Sequence, residues 1–403
     1  MQIADALRLA IQHFNAGRAV DGTDICARIL DLHPANPAAN VLLARQALRD
    51  GDRATARRHV DTALAEAADY PAAHELDARL KAEDETADPN TAERAYRRTL
   101  TLAPGQWAPW YDGGNLHQAR RDDPAAAVPF YRRALTLAPD EIPPAMNLAT
   151  AQLKLGDAEA ALNACAHTRA RDPNHIRALA LETAALYDLG RADEADRLVG
   201  WGGLTRAVEL PQPDGYPDIA AFNHAFAAAI RRHPNRRDDW DPSKRAIRGG
   251  AVVTDLLAMD DPAIRGFGRA LDSALRAYVR ALPADAEHPH VAATPARWAL
   301  DVWANILGAD DHQTGHIHNL GWLSGVYYVA MPGGVRADDP EQQGWIEFNR
   351  PGYGIPHRGG ATLRTLFPAA GMAALFPSYV WHRTIPFTGT GERISVAFDL
   401  HPR

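Results

Sequence analysis

The chain has 403 residues, enough for two domains or more, and its 46% hydrophobic and 23% charged content is that of a folded globular protein. A net charge of −7 excludes a general nucleic-acid binder, and two distant cysteines, Cys26 and Cys165, exclude a disulfide scaffold or a thiolate zinc site. No run of about 18 apolar residues reads as a membrane span and the first residues lack a signal peptide's pattern, so the expectation is a cytoplasmic protein with no membrane partner.

The first half is periodic. Pro34, Pro104, Pro139 and Pro173 close helical segments, with Ala68 in the one slot that lacks proline, and the steps are 34, 36, 35 and 34 residues. A small residue stands twelve positions before each mark (Gly22, Ala56, Ala92, Ala127 and Ala161), and Ala195 continues the series. Glycine turns recur at Gly17, Gly51, Gly156 and Gly190, and Tyr96 and Tyr131 stand where helices should meet. This pattern resembles the tetratricopeptide repeat, a helix pair that buries its apolar face only by stacking on its neighbours. Five repeats and a partial sixth are placed within residues 1–205. Such an array serves either as a scaffold or homodimer surface, or as a groove holding a peptide or protein substrate.

Three prolines and a glycine between Leu210 and Pro217 favour extended chain, so residues 206–217 read as a linker. Residues 218–403 read as a second domain. Asp218 suits the N-cap of one helix, and Asp261-Pro262 the start of another through Phe267, Leu271 and Leu275. From Trp298 the period becomes strand-like: Trp298 to Leu307, Ser324 to Ala330, Trp345 to Phe348, Ala373 to Phe376 and Arg393 to Phe398. Short strands separated by Gly and Pro turns suggest an antiparallel jelly roll with the two helices outside. The fold class is therefore multidomain α + β, an all-α repeat solenoid followed by a jelly roll with flanking helices.

Chemistry concentrates in that jelly roll. In an extended segment His316 and His318 share one face and can chelate one metal. A second HxH, at His288 and His290, lies between prolines and reads as structural. His382 and Arg393 flank Thr388-Gly389-Thr390-Gly391, a plausible hairpin turn that would set them opposite one another. The arginine fork, helped by the Ser395 hydroxyl, suits the free carboxylate of a co-substrate chelating the metal with its other end. Asn305 and one of the adjacent pair Tyr327 and Tyr328 are candidates for its metal-proximal end, with Tyr327 taken as the binding residue. Residues 338–356 read either as a mobile substrate loop or as an ordinary surface loop.

The segments HIHNLGWLSGVYYV, LFPSYVWH and GERISVAFD resemble the Fe(II)/2-oxoglutarate oxygenases, particularly the bacterial group fused to tetratricopeptide repeats. The resemblance implies a double-stranded β-helix, Fe(II) and 2-oxoglutarate as cofactors, O2 as co-substrate, and a dioxygenase that hydroxylates an unactivated C–H bond while 2-oxoglutarate becomes succinate. It implies His316 and His382 as iron ligands, and Arg393 with Ser395 on the distal carboxylate of 2-oxoglutarate. The wider superfamily has His-x-Asp; here His318 fills the aspartate slot, either as third ligand or leaving the place to water or to a carboxylate such as Glu347 or Asp310. The resulting expectation is a hydroxylase of peptide or protein side chains presented by the repeats. The alternatives are a small-molecule or amino-acid hydroxylase, and a degenerate barrel acting as an adaptor.

Overall fold

The computed structural model describes residues 2–239 and 246–403, which divide into two compact units, Met1–Ala151 and Gln152–Arg403. The first is wholly helical: α1 (Ile3–Asn15), α2 (Ala19–Leu32), α3 (Pro37–Arg49), α4 (Arg53–Glu66), α5 (Pro71–Ala82), α6 (Pro89–Leu102), α7 (Trp107–Asn115, continued by a π turn Leu116–Arg120), α8 (Pro124–Leu137) and α9 (Ile142–Leu155), the last crossing the division. The second unit continues with α10 (Ala158–Arg169), α11 (Ile176–Asp188) and α12 (Ala192–Val199).

The repeat reading has a direct physical counterpart. Gly22, Ala56, Ala92, Ala127, Ala161 and Ala195 are each the fourth residue of an even-numbered helix, and all are buried. Only a small side chain lets the paired helices approach there. Gly22 carries no side chain because a Cβ would stand 2.8 Å from the Phe14 ring. Gly17, Gly51, Gly156 and Gly190 hold left-handed φ between the helices of a pair, and Asp122 does so at φ 47° in one of the two repeats that lack the glycine.

The C-terminal unit adds β1 (Arg206–Glu209), α13 (Ile219–Arg231), β2 (Arg236–Arg237), β3 (Ile247–Arg248), β4 (Ala251–Val253), α14 (Pro262–Arg280), the short α15 (Pro289–Ala292), β5 (Trp298–Leu307), β6 (His312–Gln313), β7 (Leu323–Ala330), β8 (Ile346–Phe348), β9 (Arg364–Leu366), β10 (Met372–Pro377), β11 (His382–Thr384) and β12 (Arg393–Pro402). Seven strands form one antiparallel sheet in the order β1-β10-β7-β12-β5-β4-β2; β11-β8-β9 and β3-β6 make two smaller ones. Asp218 and Asp261 cap α13 and α14 by accepting backbone N–H bonds at 2.8 Å. These helices cover the outer face of the large sheet through Phe222, Phe226, Phe267 and Leu271, packed on Val396, Phe398 and Tyr327. The fold is a β-sandwich with flanking helices behind a helical repeat region.

One boundary differs from the sequence reading. Residues 206–209 pair with β10 along the edge of the large sheet, from Arg206↔Leu375 to Glu209↔Met372, so the chain has entered the β domain before the proline-rich stretch. The prolines carry the chain from that edge strand to α13.

Two outcomes test the helical unit. A Cβ on Gly114 would lie 2.5 Å from the fully buried Tyr131 ring. Gly114→Ala should therefore lower stability by about 1–2 kcal/mol in thermal melts, overpacking exceeding the helix-propensity gain of about 1 kcal/mol. Burial pushes the Asp112 carboxyl up to about 6, against a nearby Arg79 that lowers it. Its folded value lies above the ordinary 3.8, so the folded state holds the proton more tightly and gains stability as pH falls from 6 towards 4. Asp112→Asn, which mimics the protonated form, should melt higher than the parent at pH 7, with the gap closing near pH 4.

Candidate active site

The two faces of the large sheet have different chemistry because side chains alternate along each strand. On β12, Ile394, Val396, Phe398 and Leu400 enter the outer apolar core, so Arg393, Ser395, Ala397 and Asp399 face inward. In register with Ser395 stand Asn305 on β5 and Tyr328 on β7, which makes one inward-facing row across three strands.

His382 stands on β11, and the HxH segment bridges to it. His316 and His382 pair through reciprocal backbone bonds of 3.1 and 3.2 Å, and the His318 N–H donates to the Ser378 carbonyl at 3.0 Å. The HxH segment is thus extended without being a regular strand. The spacing of two still places both rings inside, with Ile317 between them buried. One ring nitrogen from each of His316, His318 and His382 lies within 4.8 Å of the others, a set able to hold a metal ion.

Each imidazole is anchored on its far side. His316 Nδ1 meets the Thr314 carbonyl at 2.8 Å, His382 Nδ1 the Val380 carbonyl at 3.0 Å, and His318 Nδ1 the Asp399 carboxylate at 2.6 Å. Carbonyl and carboxylate oxygens only accept, so these contacts put the proton on Nδ1 and leave the Nε2 lone pair for the common point. Burial, then the neighbouring His318, holds His316 down to about 3; burial, then His316 and His318, holds His382 well below the ordinary histidine range. Both are neutral donors at pH 7.

The histidines, Tyr328, Arg393, Gln313 and Phe376 line one cavity. Arg393 is 1% exposed. Its Nε donates to the Gly344 carbonyl and its Nη1 to Ser395 Oγ, both at 3.3 Å, and its guanidinium lies 5.0 Å from the Tyr328 ring centroid. It has no carboxylate partner among the described residues. Burial pulls it below the ordinary arginine value, with Tyr328 opposing. The Asn305 amide nitrogen is also buried without a hydrogen-bond partner, and the Tyr328 hydroxyl has no partner of good geometry beyond the neighbouring Arg393 guanidinium. The row thus keeps polar capacity that the polypeptide does not fill.

The chain matches the family described as "Putative 2OG-Fe(II) oxygenase" over residues 301–399 and the tetratricopeptide repeat over residues 118–185. The chain thus contains a tetratricopeptide-repeat region and a domain of the 2-oxoglutarate–Fe(II) oxygenase type. No curated protein sequence matches it significantly. Among solved structures it is similar to a thermophilic tetratricopeptide-repeat protein of Thermus thermophilus, at 21% identity over 46% of this chain and 99% of that one, TM-score 0.39. It is also similar to a Pseudomonas putida prolyl-4-hydroxylase, at 18% identity over 53% of this chain and 99% of that one, TM-score 0.34. Fe(II) and 2-oxoglutarate are the cofactors the family implies.

Three sequence expectations change within the oxygenase domain. Tyr327 is not in the cavity: it lies on the outer face, where its hydroxyl donates to Asn223 Oδ1 at 2.7 Å and its ring packs against Phe267. Strand parity sends Tyr328 inward instead. Residues 388–391 do not form a hairpin joining His382 to Arg393, because β11 pairs with β8 whereas β12 pairs with β5 and β7. The two residues reach one cavity from different sheets, His382 from β11 and Arg393 from β12. The carboxylates considered for the metal are elsewhere. Glu347 is bound by Arg350 and Arg383, each at 2.6 Å, and those bonds outweigh the burial that would raise its pKa. Asp310 sits exposed in a turn at φ 67°. His288 and His290 have structural partners: His288 bonds the Arg197 carbonyl, and His290 stacks on Trp322 at 4.1 Å.

Sequence reasoning missed two features. Asp399 stands six residues after Arg393 and reaches His318 only through the fold. The second is the anchoring of the His382 segment on the repeat helices. Trp381 Nε1 donates to the Ala180 carbonyl of α11 at 2.9 Å, and the Tyr379 hydroxyl to the Leu198 carbonyl of α12 at 2.7 Å. Asn349 Nδ2 donates to the Tyr187 hydroxyl at 2.9 Å.

The opposed faces of the tyrosine pair make a simple test. Tyr327→Phe strands the buried Asn223 oxygen and should cost about 1–3 kcal/mol in chemical denaturation. Tyr328→Phe removes a hydroxyl that makes no well-formed hydrogen bond and should leave stability within about 0.5 kcal/mol.

Proposed function

We propose that this oxygenase domain hydroxylates a side chain of a peptide or protein substrate, with Fe(II) held by His316, His318 and His382 and 2-oxoglutarate held by Arg393, Ser395, Asn305 and Tyr328. The observation that carries the reading is a buried guanidinium with no carboxylate partner among the described residues, in the same cavity as three imidazoles whose ring nitrogens converge. A buried arginine left without an anion is costly, and a dicarboxylate co-substrate supplies that anion.

The residues divide the work. Arg393 presents its fork to the distal carboxylate, and the Ser395 hydroxyl steadies the fork while keeping a proton to donate. Asn305 and Tyr328, in register on either side of Ser395, offer unpaired donors to the remaining oxygens. The Nδ1 acceptors behind the three rings aim their other nitrogens at one point, and His316 and His382 have no proton to lose first. Phe376 and Tyr328 wall the cavity and exclude water. When bound, Fe(II) and 2-oxoglutarate supply the oxidising chemistry, and the protein's contribution is position and shielding.

The choice of a peptide or protein substrate rests on the repeat helices. The last of them, α11 and α12, are part of the catalytic unit and seat the residues next to His382. A groove that positions a chain would thereby be coupled to the segment carrying a metal ligand. Free amino acids and other small metabolites are the competing substrate class.

Anaerobic titration of the full chain with Fe(II) and then 2-oxoglutarate should give a weak visible charge-transfer band, and succinate should form once oxygen is admitted. Arg393→Met should weaken 2-oxoglutarate binding at least about thirtyfold, the lower end of losing one partner of a buried charged pair. Mass spectrometry of candidate peptides after turnover should find one added oxygen on one side chain. Absence of both band and succinate would remove the oxygenase reading, and oxygen added only to free amino acids would reassign the substrate class.

A further inference from the structure

Three imidazoles give a metal no negative charge, and the superfamily's aspartate position is occupied here by His318. The nearest compensating charge is behind that histidine. Asp399 is 8% exposed and its Oδ1 lies 2.6 Å from His318 Nδ1. The same oxygen accepts from Ser324 Oγ at 2.6 Å, and Ser324 Oγ lies 2.8 Å from Ser378 Oγ. Gly321 passes so close that a Cβ there would stand 2.6 Å from Ser378 Oγ and 3.4 Å from Asp399. The carboxylate is therefore fixed from several sides, and Ser378 also fixes His318 through its backbone carbonyl.

Two observations separate this contact from ordinary packing. His316 and His382 rest on neutral carbonyls, so His318 alone of the three is backed by a carboxylate. Among the described residues, Asp399 has no lysine or arginine partner; its one ionic neighbour is His318. Asp301, opposite in register on β5, adds a second acid rather than relief. A buried carboxylate in this position calls for positive charge on the far side of the ring it holds.

Resting on the metal-centre reading above, we propose that Asp399 is a positioning residue of that centre: it orients His318 and supplies, one ring removed, the negative charge that a His-x-Asp site places directly on the metal. The site is then a displaced version of two histidines and a carboxylate. Its acid reaches the ion through the polarised imidazole, which becomes a stronger donor than either neighbour.

Co(II) titration of the full chain, followed by its visible absorption and by calorimetry, tests this without turnover. Asp399→Asn keeps an oxygen facing His318 but removes the charge, and should weaken Co(II) binding by about 10–100-fold. Ser324→Ala disturbs the same network while keeping the charge, and should stay within about threefold of the parent. His318→Asp combined with Asp399→Asn returns a carboxylate to the ion and should bind at least about fivefold more tightly than Asp399→Asn alone. If Asp399→Asn does not fold by circular dichroism, Asp399→Ser, which leaves a neutral acceptor in a smaller side chain, takes its place with the same expectation. Affinity of the neutral variant within twofold of the parent, an equal loss in Ser324→Ala, or no recovery in the double variant each overturns the proposal. A parent that binds Co(II) no better than His316→Ala would overturn the metal-centre reading itself, which separates the two failures.

Discussion

The alternation of side chains along β12 is the constraint from which the catalytic half follows. This ten-residue strand is hydrogen-bonded on both edges, to β5 and to β7, so its register is fixed by two partners at once. Its outward residues, Ile394, Val396, Phe398 and Leu400, are buried under α13 and α14, and that apolar face decides which way the strand turns. Arg393, Ser395 and Asp399 then have to face the interior. A shift of one residue would exchange the two sets, burying a guanidinium in the apolar core and turning Phe398 into the cavity. The outer core thus stabilises the polar face indirectly, by making every other register costly.

The histidine cluster obeys a complementary logic. None of the three rings depends on another for its orientation, since each has its own acceptor behind it. Preorganisation of this kind lets a metal bind without first reordering side chains. It also explains why a segment with so little regular strand structure can serve as a ligand platform: the backbone bridges between His316 and His382, and between His318 and Ser378, hold two chain segments together at the point where their side chains meet.

Much of this was readable in advance, and the boundary of what was readable is instructive. The repeat period survives in sequence because each small residue answers a local demand, the approach of two consecutive helices, repeated at nearly constant spacing. The long strands β5, β7 and β12 announce themselves by β-branched and aromatic residues, and HxH, His382 and Arg393 by residue type. The shortest strands, such as β2, β3 and β6, are two residues long, too short for any period to register. Tyr327 and Tyr328 are chemically identical neighbours, and only the register of β7 against β12 distinguishes them. The supposed hairpin at residues 388–391 failed for a similar reason. Its glycines do mark a turn, at φ 105° for both Gly389 and Gly391, but a turn signal does not say which partner the following strand will choose. Asp399 could not be singled out because its role depends on a contact 81 residues away in sequence.

The tethers from Trp381 and Tyr379 to α11 and α12 bear on how the gene could be divided. The proline-rich stretch looks like a natural place to cut, yet a chain beginning at residue 218 would lack the edge strand paired with β10. It would also leave the Trp381 indole and the Tyr379 hydroxyl, both buried, without the carbonyls they bond. The smallest autonomous catalytic fragment therefore has to start upstream of α11, and an exchange of repeat arrays between relatives by recombination would have to leave the final helix pair with the barrel.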